Sequence, residues 1–302
     1  MSTAAALVRA MRPGQWAKNL FVFAPVLFAN EWHKPGVLLR VTATFAIFCL
    51  LASSVYLLND VADAEADRLH PRKRTRPVAA GELPAAVAIA AAALFACGGL
   101  AWAGLGLANA NVTYVCGAYL AIQLAYTYAL KRVVIVDVLC ISSGFVLRMI
   151  AGASASWVHQ SAWILVCTIF LSLFLALCKR RHEVVSLGDD AALHRAILAD
   201  YPPALLDQFI GVATACTLVS YTLYTVDPRT AAAHGLVRDG QPVAYLAVTV
   251  PFVVFGLFRY LFLVHRRDGG GSPTSTLLCD VPLVVNGVLY GAAVVAVLRF
   301  GR

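Results

Sequence analysis

The stretch Leu38–Gly81 reads LLRVTATFAIFCLLASSVYLLNDVADAEADRLHPRKRTRPVAAG. Its first half, Leu38 to Leu58, is apolar over about 20 residues, the length of a helix that crosses a hydrocarbon layer of about 30 Å. Its second half puts Asn59, Asp60, Asp63, Glu65 and Asp67 directly before Arg68, Arg72, Lys73, Arg74 and Arg76. A membrane helix that opens into such a segment carries a diphosphate site at its mouth. On a continuous helix Asn59, Asp63 and Asp67 stand at i, i+4 and i+8, and Asp60 lies three residues before Asp63, so their oxygens share a face. Hard oxygen ligands select Mg²⁺, which keeps waters and takes one or two carboxylates plus phosphate oxygens of a substrate. Arg68, Lys73, Arg74 and Arg76 then supply the N–H donors that a phosphorylated substrate needs. The bland alternative is a solvated loop of mixed charge. Against it, positive-inside loops collect Lys and Arg with few acids in register.

Outward from this stretch, 60% of the residues are hydrophobic and 13% charged, where soluble domains carry about a quarter charged. The chain is expected to be all-α, a polytopic membrane bundle of about nine transmembrane helices. The expected spans are Leu20 to Asn30 (short), Leu38 to Leu58, Pro84 to Leu105, Asn111 to Leu130, Val136 to Ser156 and Ala162 to Leu177. Leu205 to Val226, Val243 to Val264 and Val281 to Leu298 complete the set. No linker or separate soluble segment interrupts them, so residues 1–302 read as one domain. The segment Met1 to Arg12 lacks the apolar core of a cleavable signal.

Charge orients the bundle. Arg9, Arg12, Lys18, the Arg68 to Arg76 cluster, Lys131, Arg132, Lys179 to Arg181, Arg195, Arg266 and Arg267 fall on the side of the N-terminus. Lys34, Arg40, Arg229, Arg238, Arg299 and Arg302 fall opposite, which places the N-terminus and the acidic cluster in the cytoplasm of a plasma (inner) membrane. The excess of +8 is thereby topology and phosphate chemistry. It gives no support to a nucleic-acid partner, because no stacking aromatics interleave the basic groups.

The polar groups gather at the cytoplasmic helix ends: Arg12, Gln15, Trp16, Lys18 and Asn19; Tyr126, Tyr128, Lys131, Arg132 and Asp137; Lys179, Arg180, Arg181, His182 and Glu183. Arg148 lies inside an apolar span and needs a partner, with Asp137 or a substrate phosphate expected. His159 and His234 are expected to be solvated on the far side, and His70 and His182 lack metal-ligand spacing with another histidine. Asp189, Asp190 and Asp200 read as loop decoration. The eight cysteines are scattered and form no CxxC, so they read as small core residues. No P-loop, dinucleotide fingerprint or serine elbow occurs. A transporter would place polar sites at the midplane, whereas this chain stacks charge at one interface, which suits an enzyme joining a soluble phosphorylated substrate to a lipid.

Asn59, Asp60, Asp63 and Asp67 form NDxxDxxxD, which resembles the first Asp-rich signature of the UbiA-type intramembrane prenyltransferase superfamily. MRPGQWAKN (Met11–Asn19), AYTYALKR (Ala125–Arg132), VDVLCISSGFVLRMIAGA (Val136–Ala153) and CKRRHE (Cys178–Glu183) are similar to blocks of its decaprenyl-phosphate phosphoribosyltransferase branch. The resemblance implies nine helices around a central cavity open to the cytoplasm and to lipid, and it leaves room for a homo-oligomer. It implies transfer of 5-phosphoribose from phosphoribosyl pyrophosphate to a polyprenyl phosphate, with Mg²⁺ as cofactor. The alternative is transfer of a prenyl group from a prenyl diphosphate to an aromatic acceptor. That larger group carries a second DxxxD after the sixth helix, where this chain has Lys179, Arg180, Arg181, His182 and Glu183.

The implied site residues follow. Asn59 and Asp63 hold the metal, with Asp60 and Asp67 as alternate ligands, and Asp60, Asp63 and Asp67 form the catalytic set. Lys73, Arg76 and Lys18 orient the pyrophosphate, Arg74 is a further donor to substrate, and the lipid phosphate is held by Lys131, Arg148 or Lys179 and Arg180. Glu65 and Glu183 accept ribose hydroxyls, and Tyr56 and Tyr126 line the substrate site.

Overall fold

The structure, a computed structural model, describes residues 2–29, 31–69, 73–158, 161–187, 196–266 and 279–301. Its contacts divide the chain into two compact units, Met1–His159 and Gln160–Arg302. The first unit holds α1 (Thr3–Met11), a 3₁₀ segment Pro13–Phe23 running into α2 (Ala24–Phe28), α3 (Pro35–Ala62), α4 (Ala64–Leu69), α5 (Ala85–Ala101), α6 (Ala110–Tyr128) and α7 (Val136–Ser156). The second holds α8 (Ala162–Leu187), α9 (Pro203–Val226), α10 (Pro228–Ala233), α11 (Val250–Arg266) and α12 (Val281–Phe300). A two-residue hairpin, β1 (Val237–Arg238) with β2 (Gln241–Pro242), is the one sheet among the described residues.

Among the described residues seven helices are long and apolar enough to span a membrane: Pro35–Ala62, Ala85–Gly106, Val136–Ser156, Ala162–Ser186, Pro203–Val226, Tyr245–Arg266 and Val281–Phe300. The chain is a multi-pass membrane protein. The other two expected spans are helical but less apolar or shorter. Helix α6 carries Asn111, Thr113, Tyr114 and Gln123, and the first is divided between the end of the 3₁₀ segment and the short α2 (Ala24–Phe28).

In the first unit, Val22, Val26, Ile47, Phe48, Leu51, Cys116, Tyr119 and Ala151 form one apolar core. Helix α7 meets the 3₁₀ segment at Gly152, where an added Cβ would collide with the carbonyl oxygen of Val22. Glycine is there to let two backbones touch. Ala6 and Ala10 of α1 pack with Leu57, Val78, Leu83 and Ala88 in a second cluster, and Arg9 pairs with Glu82. Helix α1 is thereby pinned beside the end of α3, and the chain leaving it must pass Asp60.

In the second unit, Tyr221 bonds Thr249 (2.7 Å) and Tyr290 (3.1 Å). His234, expected in solvent, is buried against the Tyr224 hydroxyl at 3.2 Å, because the tight turn after α10 folds its ring inward. The eight cysteines are all free, and five of them are buried. His70, His159, Asp189 and Asp190 lie outside the described residues, and Asp200 is exposed.

Candidate active site

Helix α3 is 28 residues long, about 42 Å at 1.5 Å per residue, so it crosses the membrane and still carries Asn59 and Asp60 on its last turn. The helix then breaks. Asp63 is its C-cap (φ −99, ψ 4) and α4 restarts at Ala64. The bonds Asp63 N–H to Asn59 O (2.9 Å) and Asp67 N–H to Asp63 O (2.8 Å) survive the break, and the aspartates take different partners. Asp63 turns to Lys131, Nζ to Oδ1 2.6 Å, on the turn after α6. Asp67 turns to Arg76, Nη1 to Oδ2 2.5 Å, and Arg76 also reaches Asp60 Oδ1 at 3.5 Å. Asp60 accepts in addition from Arg12 Nη2.

Arg12 joins α1 to the 3₁₀ segment in the left-handed region (φ 54, ψ 62), a strained placement for a non-glycine residue. Its guanidinium lies over the Tyr56 ring at 5.0 Å. Four charges therefore interlock, two carboxylates and two guanidiniums, and their exposure is unequal. The side chains of Asp60 and Asp67 are 1% and 4% exposed, those of Arg12 and Arg76 25% and 24%, and that of Asp63 30%. The acids sit underneath and the arginines face out.

Three acids thus each carry a cation, and among the described residues no three His, Cys, Asp or Glu side chains gather as a metal cage. Two features still suit a hard cation brought in with a phosphate. Asn59 Oδ1 is buried without a hydrogen-bond partner, and Asp63 is the most open of the three aspartates. One carboxylate and one amide oxygen, completed by phosphate oxygens and water, meet what Mg²⁺ asks of a protein. Asp60 Oδ2 is also buried and without a donor.

The remaining expected residues are spread more widely. Lys18 lies half-buried on the 3₁₀ segment, Lys73 half-buried and Arg74 exposed on the turn Lys73–Thr75, and Glu65 exposed on α4. Tyr126 is half-buried on the last turns of α6. Arg148 is buried, but its partner is not Asp137: Nε donates to Asn19 Oδ1 (2.7 Å), Nη1 to Gly144 O (2.6 Å) and Nη2 to Tyr119 OH (3.1 Å). Phe48, Tyr119 and Phe145 surround its guanidinium at 4.8–5.9 Å. The charge is satisfied by neutral acceptors and ring faces, which the amino-acid sequence does not reveal because Asn19 and Tyr119 come from distant segments.

In the second unit, Lys179 (3.7 Å) and Arg180 both pair with Glu183 one turn along α8. Arg181 Nε bonds Asp207 of α9 at 2.5 Å, and His265 of α11 approaches the same oxygen at 3.3 Å. Glu183 and Asp207 thus give Lys179, Arg180 and Arg181 each an acidic partner. Arg12 in the first unit and Asp207 in the second carry no expected role. Asp207 had a signal in being the one acid in the apolar run Leu205 to Val226.

The sequence profile described as the UbiA prenyltransferase family matches residues 19–278. A protein of Mycolicibacterium smegmatis named decaprenyl-phosphate phosphoribosyltransferase is 38% identical over 283 residues, 91% of this chain and 86% of that protein. One of the same name from Mycobacterium tuberculosis is 35% identical over 304 residues, 98% of this chain and 95% of its own. Among solved structures, a UbiA homolog from Archaeoglobus fulgidus bound to DMAPP and Mg²⁺ superposes with a TM-score of 0.71 at 18% identity, over 97% of this chain and 99% of that one.

Proposed function

The chain belongs to the UbiA prenyltransferase family, and on that premise we propose that it transfers 5-phosphoribose from phosphoribosyl pyrophosphate to a polyprenyl (decaprenyl-type) monophosphate, releasing pyrophosphate. The relatives named for this reaction align with nearly the whole chain. The observation that carries the reading at the site is the outward-facing pair Arg12 and Arg76 beside Lys131, a set of donors suited to phosphate oxygens.

Asn59 and Asp63 would hold Mg²⁺, which when bound neutralises the charge of a departing pyrophosphate. The chain's own residues do the rest. Arg76, Lys73 and Lys18 orient the diphosphate, and Lys131, released from Asp63 as substrate arrives, turns to phosphate oxygen. The anomeric C–O bond to pyrophosphate stretches while an oxygen of the lipid phosphate closes on the opposite face, forming the new C–O bond. The electron pair of the broken bond leaves with pyrophosphate. A phosphate monoester is already anionic, so no general base is required, and orientation in a site screened from water supplies much of the rate. Glu65 serves as an acceptor for a ribose hydroxyl.

The N-terminus and the acidic cluster face the cytoplasm of the plasma membrane, on the charge bias of the loops. Both units serve one transferase domain, since a single family match runs from residue 19 to 278. The test is incubation of the purified protein with labelled phosphoribosyl pyrophosphate and polyprenyl phosphate. Lipid-extractable label that depends on both is expected. Product only from a prenyl diphosphate with 4-hydroxybenzoate would overturn the reading in favour of aromatic prenyl transfer.

A further inference from the structure

We propose that Asp60 and Asp67 are positioning residues that hold Arg12 and Arg76 as a prebuilt clamp for the diphosphate of the donor, leaving Asp63 and Asn59 to meet the divalent cation. This deepens the reading above and rests on its diphosphate donor.

The four side chains have a direction. Asp60 and Asp67 are buried, and the guanidiniums over them are about a quarter exposed. A cation arriving with its waters and a substrate phosphate needs a carboxylate it can touch, and of the three aspartates Asp63 is the open one. Asp60 spends Oδ1 on Arg12 and Arg76, and its Oδ2 is enclosed by protein. Asp67 spends Oδ2 on Arg76. A guanidinium has five N–H groups in a planar fork, so each arginine keeps donors after binding its carboxylate.

The fork is also fixed in angle. Arg12 is stacked on Tyr56 at 5.0 Å, and its backbone is held in the left-handed region immediately before Pro13, a conformation that persists only when the surroundings impose it. Asp60, bridging both arginines, cancels the repulsion that would otherwise push two guanidiniums apart. The four charges sum to zero, so the clamp is stable empty and meets a diphosphate without rearranging.

The test uses the full chain in detergent, with inorganic pyrophosphate and Mn²⁺ as probes. Mn²⁺ binding is read by electron paramagnetic resonance at saturating pyrophosphate, pyrophosphate binding by calorimetry at saturating Mn²⁺, and melting temperature in parallel. Asp63→Asn should weaken Mn²⁺ binding about tenfold or more, and Arg12→Gln, Asp60→Asn and Asp67→Asn should leave it within about twofold while weakening pyrophosphate about tenfold. Arg12→Lys, which keeps the charge and loses the fork, should recover part of that affinity. Because Asp60→Asn alone leaves two arginines unbalanced and can cost folding, the decisive protein is the double variant Arg12→Gln with Asp60→Asn. If Asp60 acts through Arg12, the double variant binds pyrophosphate as Arg12→Gln does and keeps its Mn²⁺. Loss of Mn²⁺ in that double variant or in Asp67→Asn, to the extent seen for Asp63→Asn, would overturn the proposal, as would unchanged pyrophosphate affinity in Arg12→Gln. Pyrophosphate is common to phosphoribosyl and prenyl donors, so this outcome is independent of the labelled-donor assay that judges phosphoribosyl transfer.

Discussion

The two units carry ion pairs of the same chemistry built in opposite directions. At the end of α3 the carboxylates of Asp60 and Asp67 are sunk and the arginines Arg12 and Arg76 are open. On α8 and α9 the order is reversed: Arg180 is 2% exposed beneath Glu183 at 28%, and Arg181 at 15% lies under Asp207 at 40%. A run of basic residues is therefore not by itself a phosphate site. What counts is which member of each pair remains accessible, and that is set by the helix face and the packing beneath it. The first unit offers donors to an anion, while the second offers acceptors, with Lys179 its open cation among Lys179, Arg180 and Arg181.

The contrast breaks most readily at Asp63, the most open of the three aspartates at the end of α3. Asp63→Asn keeps the volume and removes the negative charge, so turnover is expected to fall about 100-fold or more, with melting temperature nearly unchanged because the pair with Lys131 is part-exposed. Near-normal turnover at saturating Mg²⁺ would take the carboxylate out of the chemistry.

A second break comes from beneath the first unit. Gly152→Ala drives a methyl into the Val22 carbonyl oxygen, a backbone contact that no rotamer change relieves. It is expected to cost about 3 kcal/mol of stability and to raise the apparent KM for donor, since the displaced 3₁₀ segment follows directly on the clamp residue Arg12. Wild-type melting with normal KM would show that the segment yields freely and that the clamp is not rigid.

In the second unit the buried partner is the arginine, so its loss should register as instability. Arg180→Ala leaves Glu183 part-exposed and able to find water or Lys179, so a cost of about 2 kcal/mol is expected, below that of a fully buried pair, with KM for both substrates changed less than about threefold. A tenfold rise in KM with unchanged melting would mean that Arg180 turns outward to substrate, and the comparison would fail.

Much of this was legible in the sequence and some was not, for a physical reason in each case. Apolar length marks α3, α5, α7, α8, α9, α11 and α12, because a bilayer imposes length and composition locally. The NDxxDxxxD spacing located the cluster but not its partners, since Asp63 pairs with Lys131 while Asp60 and Asp67 share Arg76. Arg12 reaches Asp60 across 48 positions and Arg148 reaches Asn19 across 129. Such pairings are made by packing and leave no periodic trace. The acids facing Arg180 and Arg181 were hidden differently: Glu183 was in view, but its i+3 relation to Arg180 says nothing of which partner is buried.

The smallest effect sharpens the comparison most finely. Lys179 is 43% exposed and 3.7 Å from Glu183, so Lys179→Ala removes an exposed pair worth about 0.5 kcal/mol at most, and stability is expected to stay within that margin. Its effect on substrate should be correspondingly slight. If the second unit presents acceptors, the lipid phosphate gains little from one exposed ammonium, and its KM should rise no more than about threefold at 0.15 M salt, where an exposed charge is screened within about 8 Å. Repeating the measurement at low salt should enlarge the ratio if the contribution is long-range attraction and leave it fixed if Lys179 touches the phosphate. A tenfold, salt-independent rise would make Lys179 a direct phosphate contact, and the second unit would then present a cation to substrate after all, through the one member of its basic row that no carboxylate has drawn inward.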